Sequence, residues 1–195
     1  GVGADNAMRN LQTNSISMEG AGHVMVDFGN KGQIALAQTA GLTLSDIRVV
    51  LPTHTHADHI NGIAGMAEQN RYADMRFKGL PKLKMVVTEE FQRIIWENAL
   101  RGNLEHNEEH DGRPLCLSDY FDIIRPTWKT HQPREVHQVD VGGIHLELFR
   151  TKHTPEQSGS WEASFVSYGL FIDRRIFVSC DTRFDPELIQ MSDQA

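Results

Sequence analysis

A mixed α/β fold is what this sequence predicts, and three observations predict it. Short runs rich in apolar and β-branched residues stand at 23–28, 47–51 and 84–87. Between them lie segments whose apolar residues recur at helical spacing. From Glu135 onward the pattern turns to strands separated by tight-turn residues.

Taken in order, His23 to Phe28, Ile47 to Leu51 and Lys84 to Val87 are the strands of the first half. Ile60, Ile63, Ala64 and Ala67 keep the i, i+3, i+4, i+7 spacing of one helix face, in a helix beginning near Asp58. A second amphipathic helix runs from about Glu89 to Leu100. Thr88 is its N-cap and two acids occupy its first turn; Phe91, Ile94, Ile95 and Ala99 face inward and Gly102 ends it. In the second half Gly142 and Gly143 turn one hairpin, and Asp173 to Arg175 turn another between 164–172 and 176–179. Asp185, Pro186 and Glu187 read as the cap, first position and first turn of a closing helix. The opening Gly-Val-Gly-Ala-Asp-Asn has a composition that normally follows a strand, so the sequence reads as truncated at both ends.

A chain of 195 residues, 39% of them hydrophobic, can close one sizeable core. The expectation is a single domain over 1–195, with a helical, acidic insertion at about 89–125. No run approaches the roughly twenty apolar residues of a membrane span, and no basic segment precedes a short apolar one at the start, so a cytoplasmic protein without a membrane partner is expected. Cys116 and Cys180 form no multi-bridge framework and read as buried small side chains. A formal charge of -7 disfavours a nucleic-acid polymer as partner but leaves room for a small anionic substrate, because bound cations would alter the local balance.

The chemistry concentrates in Leu51-Pro52-Thr53-His54-Thr55-His56-Ala57-Asp58-His59. A strand ends in proline, and two histidines two residues apart then lie on the same side of an extended chain, where both imidazoles can reach one metal ion. Asp58 and His59 follow at a helix start, within reach of a second ion. Gly62 and Gly65 lower helix propensity, which points to close approach of neighbouring backbone. Scattered surface histidines would not group three imidazoles and a carboxylate at one strand-to-helix junction.

This segment resembles the HxHxDH motif of the metallo-β-lactamase fold superfamily. The resemblance implies an αββα sandwich of two mixed sheets and two divalent metal ions, most readily zinc, with manganese, iron or nickel as alternatives. It implies that His54, His56 and His153 hold one ion, that Asp58 and His59 hold the other, and that Asp181 bridges them. Asp27, in Val26-Asp27-Phe28-Gly29, resembles the family's supporting aspartate. The implied nucleophile is a metal-bound hydroxide, with Asp58 as the catalytic residue that orients it or takes its proton. The family's last histidine ligand has no counterpart here, since no histidine follows His153, and truncation accounts for that.

Ser179-Cys180-Asp181-Thr182-Arg183 and Ser167-Tyr168-Gly169 resemble the ribonuclease Z-like branch, as does the opening Gly1-Val2-Gly3-Ala4. The segment around Trp96-Glu97 and Leu117 to Phe121 is similar to small phosphodiesterases of that branch, including the anti-Pycsar proteins that cleave cyclic mononucleotides. The expected activity is therefore hydrolysis of a cyclic nucleotide or another small phosphodiester, with Tyr168, Thr182 and Arg183 as substrate contacts. A tRNA 3′ processing endonuclease is an alternative, disfavoured by the acidic insertion, and a metallo-thioesterase or lactonase is another. The branch also implies a homodimer.

Overall fold

The computed structural model describes residues 14–155 and 157–192; the opening turn expected at Gly1 to Ala4 lies outside them. The chain divides into two compact units, one ending at Arg125 and the other beginning at Pro126.

The first unit is built on one five-stranded sheet. Its early elements are β1 (Asn14–Met18), β2 (Gly22–Val26), α1 (Gly32–Ala35), β3 (Ile47–Leu51), α2 (Ala57–Ile60), α3 (Ile63–Glu68), α4 (Met75–Lys78) and β4 (Leu83–Val86). There follow α5 (Glu89–Ile95), α6 (Arg101–Leu104), the short pair β5 (Glu109–His110) and β6 (Arg113–Pro114), α7 (Leu117–Tyr120) and β7 (Phe121–Ile124). The sheet order is β1-β2-β3-β4-β7, antiparallel at β1–β2 and parallel from β2 onward. Central parallel strands need apolar residues on both faces, and Val24, Met25, Val26, Val49, Val50, Leu51, Met85 and Val86 are all buried. Residues 121–124, within the segment expected as an insertion, form the edge strand of this sheet.

Two helices differ from expectation. The helix at the metal motif starts one residue early, at Ala57, breaks after Ile60 and resumes at Ile63; it buries Ile60, Ile63 and Ala67 but leaves Ala64 half-buried. The helix capped by Thr88, whose side chain accepts a hydrogen bond from Phe91 N, does not stop at Gly102. A π-helical turn at Trp96–Leu100 leads into α6, which contains Gly102 on its exposed side. The helix continues because Leu100 and Leu104 still have core to cover, while Ile94 and Ala99 are only half-buried.

The second unit carries a five-stranded antiparallel sheet of β8 (Thr127–Thr130), β9 (Val136–Val141), β10 (Ile144–Arg150), β11 (Tyr168–Ile172) and β12 (Ile176–Val178), in the order β12-β11-β10-β9-β8, followed by α8 (Pro186–Ser192). Gly142 and Gly143 turn the β9–β10 hairpin with φ of 58° and 82°, the left-handed pair that matches strand twist. Val136, Phe149, Phe171 and Leu188 form its core, with Phe177 stacked on Phe149 at 5.3 Å. β11 begins at Tyr168 rather than Ser164, because Ser164 N is used in a turn, bonding Trp161 O.

Cys116 and Cys180 are half-buried rather than buried, for both sit at chain reversals: Cys116 caps α7 and Cys180 has φ of 51°. Among the described residues no helix is long and apolar enough to cross a membrane.

Candidate metal centre

In the first unit the site is assembled where two parallel strands end side by side. Val26 pairs with Leu51, and Asp27 N donates to Leu51 O, so the residues after β2 and after β3 emerge together. Asp27 then takes a left-handed φ of 58°, which ends β2 two residues short of the expected Phe28. Its carboxylate is fully buried and accepts from Thr53 N at 2.7 Å, from Thr53 Oγ1 at 2.8 Å and from His59 Nδ1 at 2.7 Å. Burial pushes the Asp27 carboxyl above its ordinary range, against the opposing pull of those hydrogen bonds and of His59.

The four residues of the motif come together in this unit. Thr53 Oγ1 also lies 3.1 Å from His54 Nδ1. The His54 ring meets His56 edge-on at 4.7 Å and His59 at 4.0 Å between centroids. His56 stays extended, with ψ of 146°, as the cap of α2, and its carbonyl accepts from His59 N and Ile60 N. Asp58 Oδ2 lies 3.6 Å from His59 Nε2.

Two glycines permit this packing. A Cβ on Gly29 would collide with the backbone of Asp58, and one on Gly62 would stand 2.6 Å from both Gly29 O and Phe28 Cδ1. Gly62 N and Phe28 N bond across the same seam, to Phe28 O and His59 O. The close approach expected at Gly62 is thus present, while Gly65 is exposed with open space around it.

In the second unit His153 follows β10 and Asp181 follows β12, and His153 Nε2 lies 3.7 Å from Asp181 Oδ2. Three hydrogen bonds fasten the two segments: Thr151 Oγ1 to Asp181 O at 3.0 Å, Arg183 N to Lys152 O at 2.8 Å and Thr182 Oγ1 to Lys152 O at 3.3 Å. Thr182 and Arg183 are half-buried beside this junction. Tyr168 is 1% exposed inside the sheet, where its hydroxyl donates to Glu135 and Arg150 lies 5.9 Å from its ring.

The donors suit a divalent ion. Asp27 and Thr53 engage Nδ1 of His59 and His54, so a metal held by these rings would meet their Nε2 atoms. Separations of 3.6 and 3.7 Å between carboxylate oxygen and imidazole nitrogen are close to the ~3.4 Å of two donors each about 2.1 Å from one ion. Sequence reasoning missed Thr53 and Thr151, whose only signal was a small hydroxyl residue beside each candidate segment.

The family model for anti-Pycsar protein Apyc1 matches residues 1–195. An anti-Pycsar protein Apyc1 from Paenibacillus sp. (strain J14) is 30% identical over 189 residues, covering 97% of this chain and 67% of that protein. Among solved structures, the metallo-β-lactamase fold protein YhfI from Bacillus subtilis superposes with a TM-score of 0.58 at 14% identity, over 98% of this chain and 64% of that one. The short form of human tRNase Z does so with a TM-score of 0.54 at 16% identity, over 88% and 60%. The chain thus has the metallo-β-lactamase fold, and spans about two thirds of the length of the first of these proteins and of YhfI.

Proposed function

Because this chain belongs to the family of anti-Pycsar protein Apyc1, we propose that it is a metal-dependent phosphodiesterase acting on a cyclic nucleotide or another small phosphodiester. The observation that carries this reading is the buried Asp27 carboxylate, which engages Thr53 and His59 at once and so braces two of the motif's imidazoles, His59 directly and His54 through Thr53.

By the order of the sequence, His54, His56 and His153 would hold one ion, Asp58 and His59 would hold a second, and Asp181 would serve both. Bound divalent ions, zinc being the metal proposed, would acidify water and offset negative charge developing on a phosphoryl oxygen. Asp58 holds the attacking water by its carboxylate and accepts its proton. Arg183 presents a planar guanidinium, suited to two phosphate oxygens, whereas the Thr182 hydroxyl already bonds Lys152 O. The net charge of -7 supports a small phosphodiester over an RNA polymer.

The test is elemental analysis of the purified full-length protein, then hydrolysis of bis(p-nitrophenyl) phosphate and of cyclic CMP, UMP, AMP and GMP by the same sample. Two equivalents of metal with turnover of at least one cyclic nucleotide is the expected result. Survival of all five substrates in the presence of excess metal-loaded protein would overturn the reading.

A further inference from the structure

Arg134 lies before β9 with its side chain wholly buried, and it meets an equally buried Asp185 at 2.8 Å. Burying an ion pair costs several kcal/mol of desolvation per ion, and an apolar pair of similar volume is often as stable, so stability alone is a poor reason for it. Its contacts suggest another reason. Arg134 NH1 donates to the carbonyl of Arg150, at the end of β10 and three residues before His153. Arg134 NH2 donates to Asp185, four residues after Asp181, and to Glu187 Oε2 at 2.9 Å. Asp185 Oδ1 accepts from Glu187 N at the start of α8 and from Lys152 Nζ at 3.2 Å.

We infer that Arg134 and Asp185 are positioning residues, which clamp the segment carrying His153 against the segment carrying Asp181. The guanidinium makes the clamp because its nitrogens donate in fixed directions from one plane, to both segments at once; an ammonium at the end of a flexible stem has no such fork. Asp185 closes the circuit through Lys152, the residue whose carbonyl already receives Arg183 N and Thr182 Oγ1. Although burial works against it, the hydrogen bonds and charges of Arg134 and Lys152 hold the Asp185 carboxyl below its ordinary range, so it is ionised as the clamp requires.

That these segments bear metal ligands rests on the function proposed above, but the clamp itself does not, and the experiment separates the two. The variants are R134M/D185L, which replaces the pair by apolar side chains, and D185N, each in the full-length protein. In metal-free protein, hydrogen exchange at the amides of Thr151 and Arg183, which bond Ser167 O and Lys152 O, should quicken by about tenfold or more in both variants. Amides of the β9–β10 ladder should stay protected, showing that the unit remains folded. Zinc affinity, read by competition with a chromogenic chelator, should fall by roughly ten- to a hundredfold. Unchanged exchange at Thr151 and Arg183 in a folded variant would overturn the clamp, whatever the metal result. If the wild type takes up no zinc, the proposed function fails, and the exchange arm still decides the inference.

Discussion

His59 Nδ1 and Asp27 Oδ2 lie 2.7 Å apart, joining residues 32 positions distant in the chain, and both side chains are sealed from solvent. Replacing the carboxylate by an amide keeps the shape but offers the ring a weaker and differently charged partner. Asp27→Asn should lower zinc affinity by about ten- to a hundredfold. Chelator competition on folded protein checks this, and wild-type affinity in the variant would show that Asp27 does not orient His59.

Gly62 and Gly65 lie three residues apart and should respond oppositely to alanine. At Gly62 the added methyl meets the Gly29 carbonyl and the Phe28 ring at 2.6 Å, so Gly62→Ala should cost about 1–3 kcal/mol. Gly65 is exposed within α3 with nothing within 4 Å, so Gly65→Ala should gain roughly 0.5–1 kcal/mol from helix propensity. Urea denaturation of the two variants reads both signs in one experiment.

Thr88 Oγ1 caps α5 by accepting from Phe91 N at 3.2 Å. Thr88→Ala leaves that donor without its cap and should destabilise the protein by about 1 kcal/mol. Thr88→Ser retains the hydroxyl and should restore most of the loss, measured by the same denaturation.

Asp119 gives a pH-dependent contribution away from the metal motif. The Arg113 guanidinium, at 2.7 Å, is the largest of the influences that hold its carboxyl well below the ordinary value of 3.8; the Cys116 backbone and thiol act the same way, and burial opposes them. A depressed folded-state pKa means stabilisation that is complete above the unfolded value of about 4 and lost as pH falls below it. Asp119→Asn should therefore be destabilising at pH 6, and the gap from wild type should narrow at pH 3. His110 lies 3.3 Å from the same carboxylate, so the comparison is best repeated with His110→Gln. A gap that widens on acidification would contradict this account.

Much of this was legible because the informative residues were local. The motif from His54 to His59 needs only a strand that ends and a helix that begins, and both signals sit within a few residues of it. The alternation of β-rich and helical segments and the turns at Gly142-Gly143 and Asp173 to Arg175 are local for the same reason. What escaped depends on distant partners. Thr53 acquires its role from Asp27, 26 positions away, Thr151 from Asp181, 30 away, and Arg134 from Asp185, 51 away. The helix after Thr88 runs past Gly102, because the local breaker signal there gives way to Leu104 still having a core to fill.

The pairing of Val26 with Leu51 makes the motif untransplantable. A synthetic peptide covering His54 to His59 would carry all four motif residues, yet the brace on its last imidazole belongs to another strand, and the glycine that lets its helix dock belongs to the loop after that strand. A slip of one residue between β2 and β3 would have the same effect in the intact protein, because neighbouring residues on a strand face opposite ways. The geometry of the motif is thus encoded as a strand register as much as a string of residues, and grafting it elsewhere requires carrying the two strand ends together.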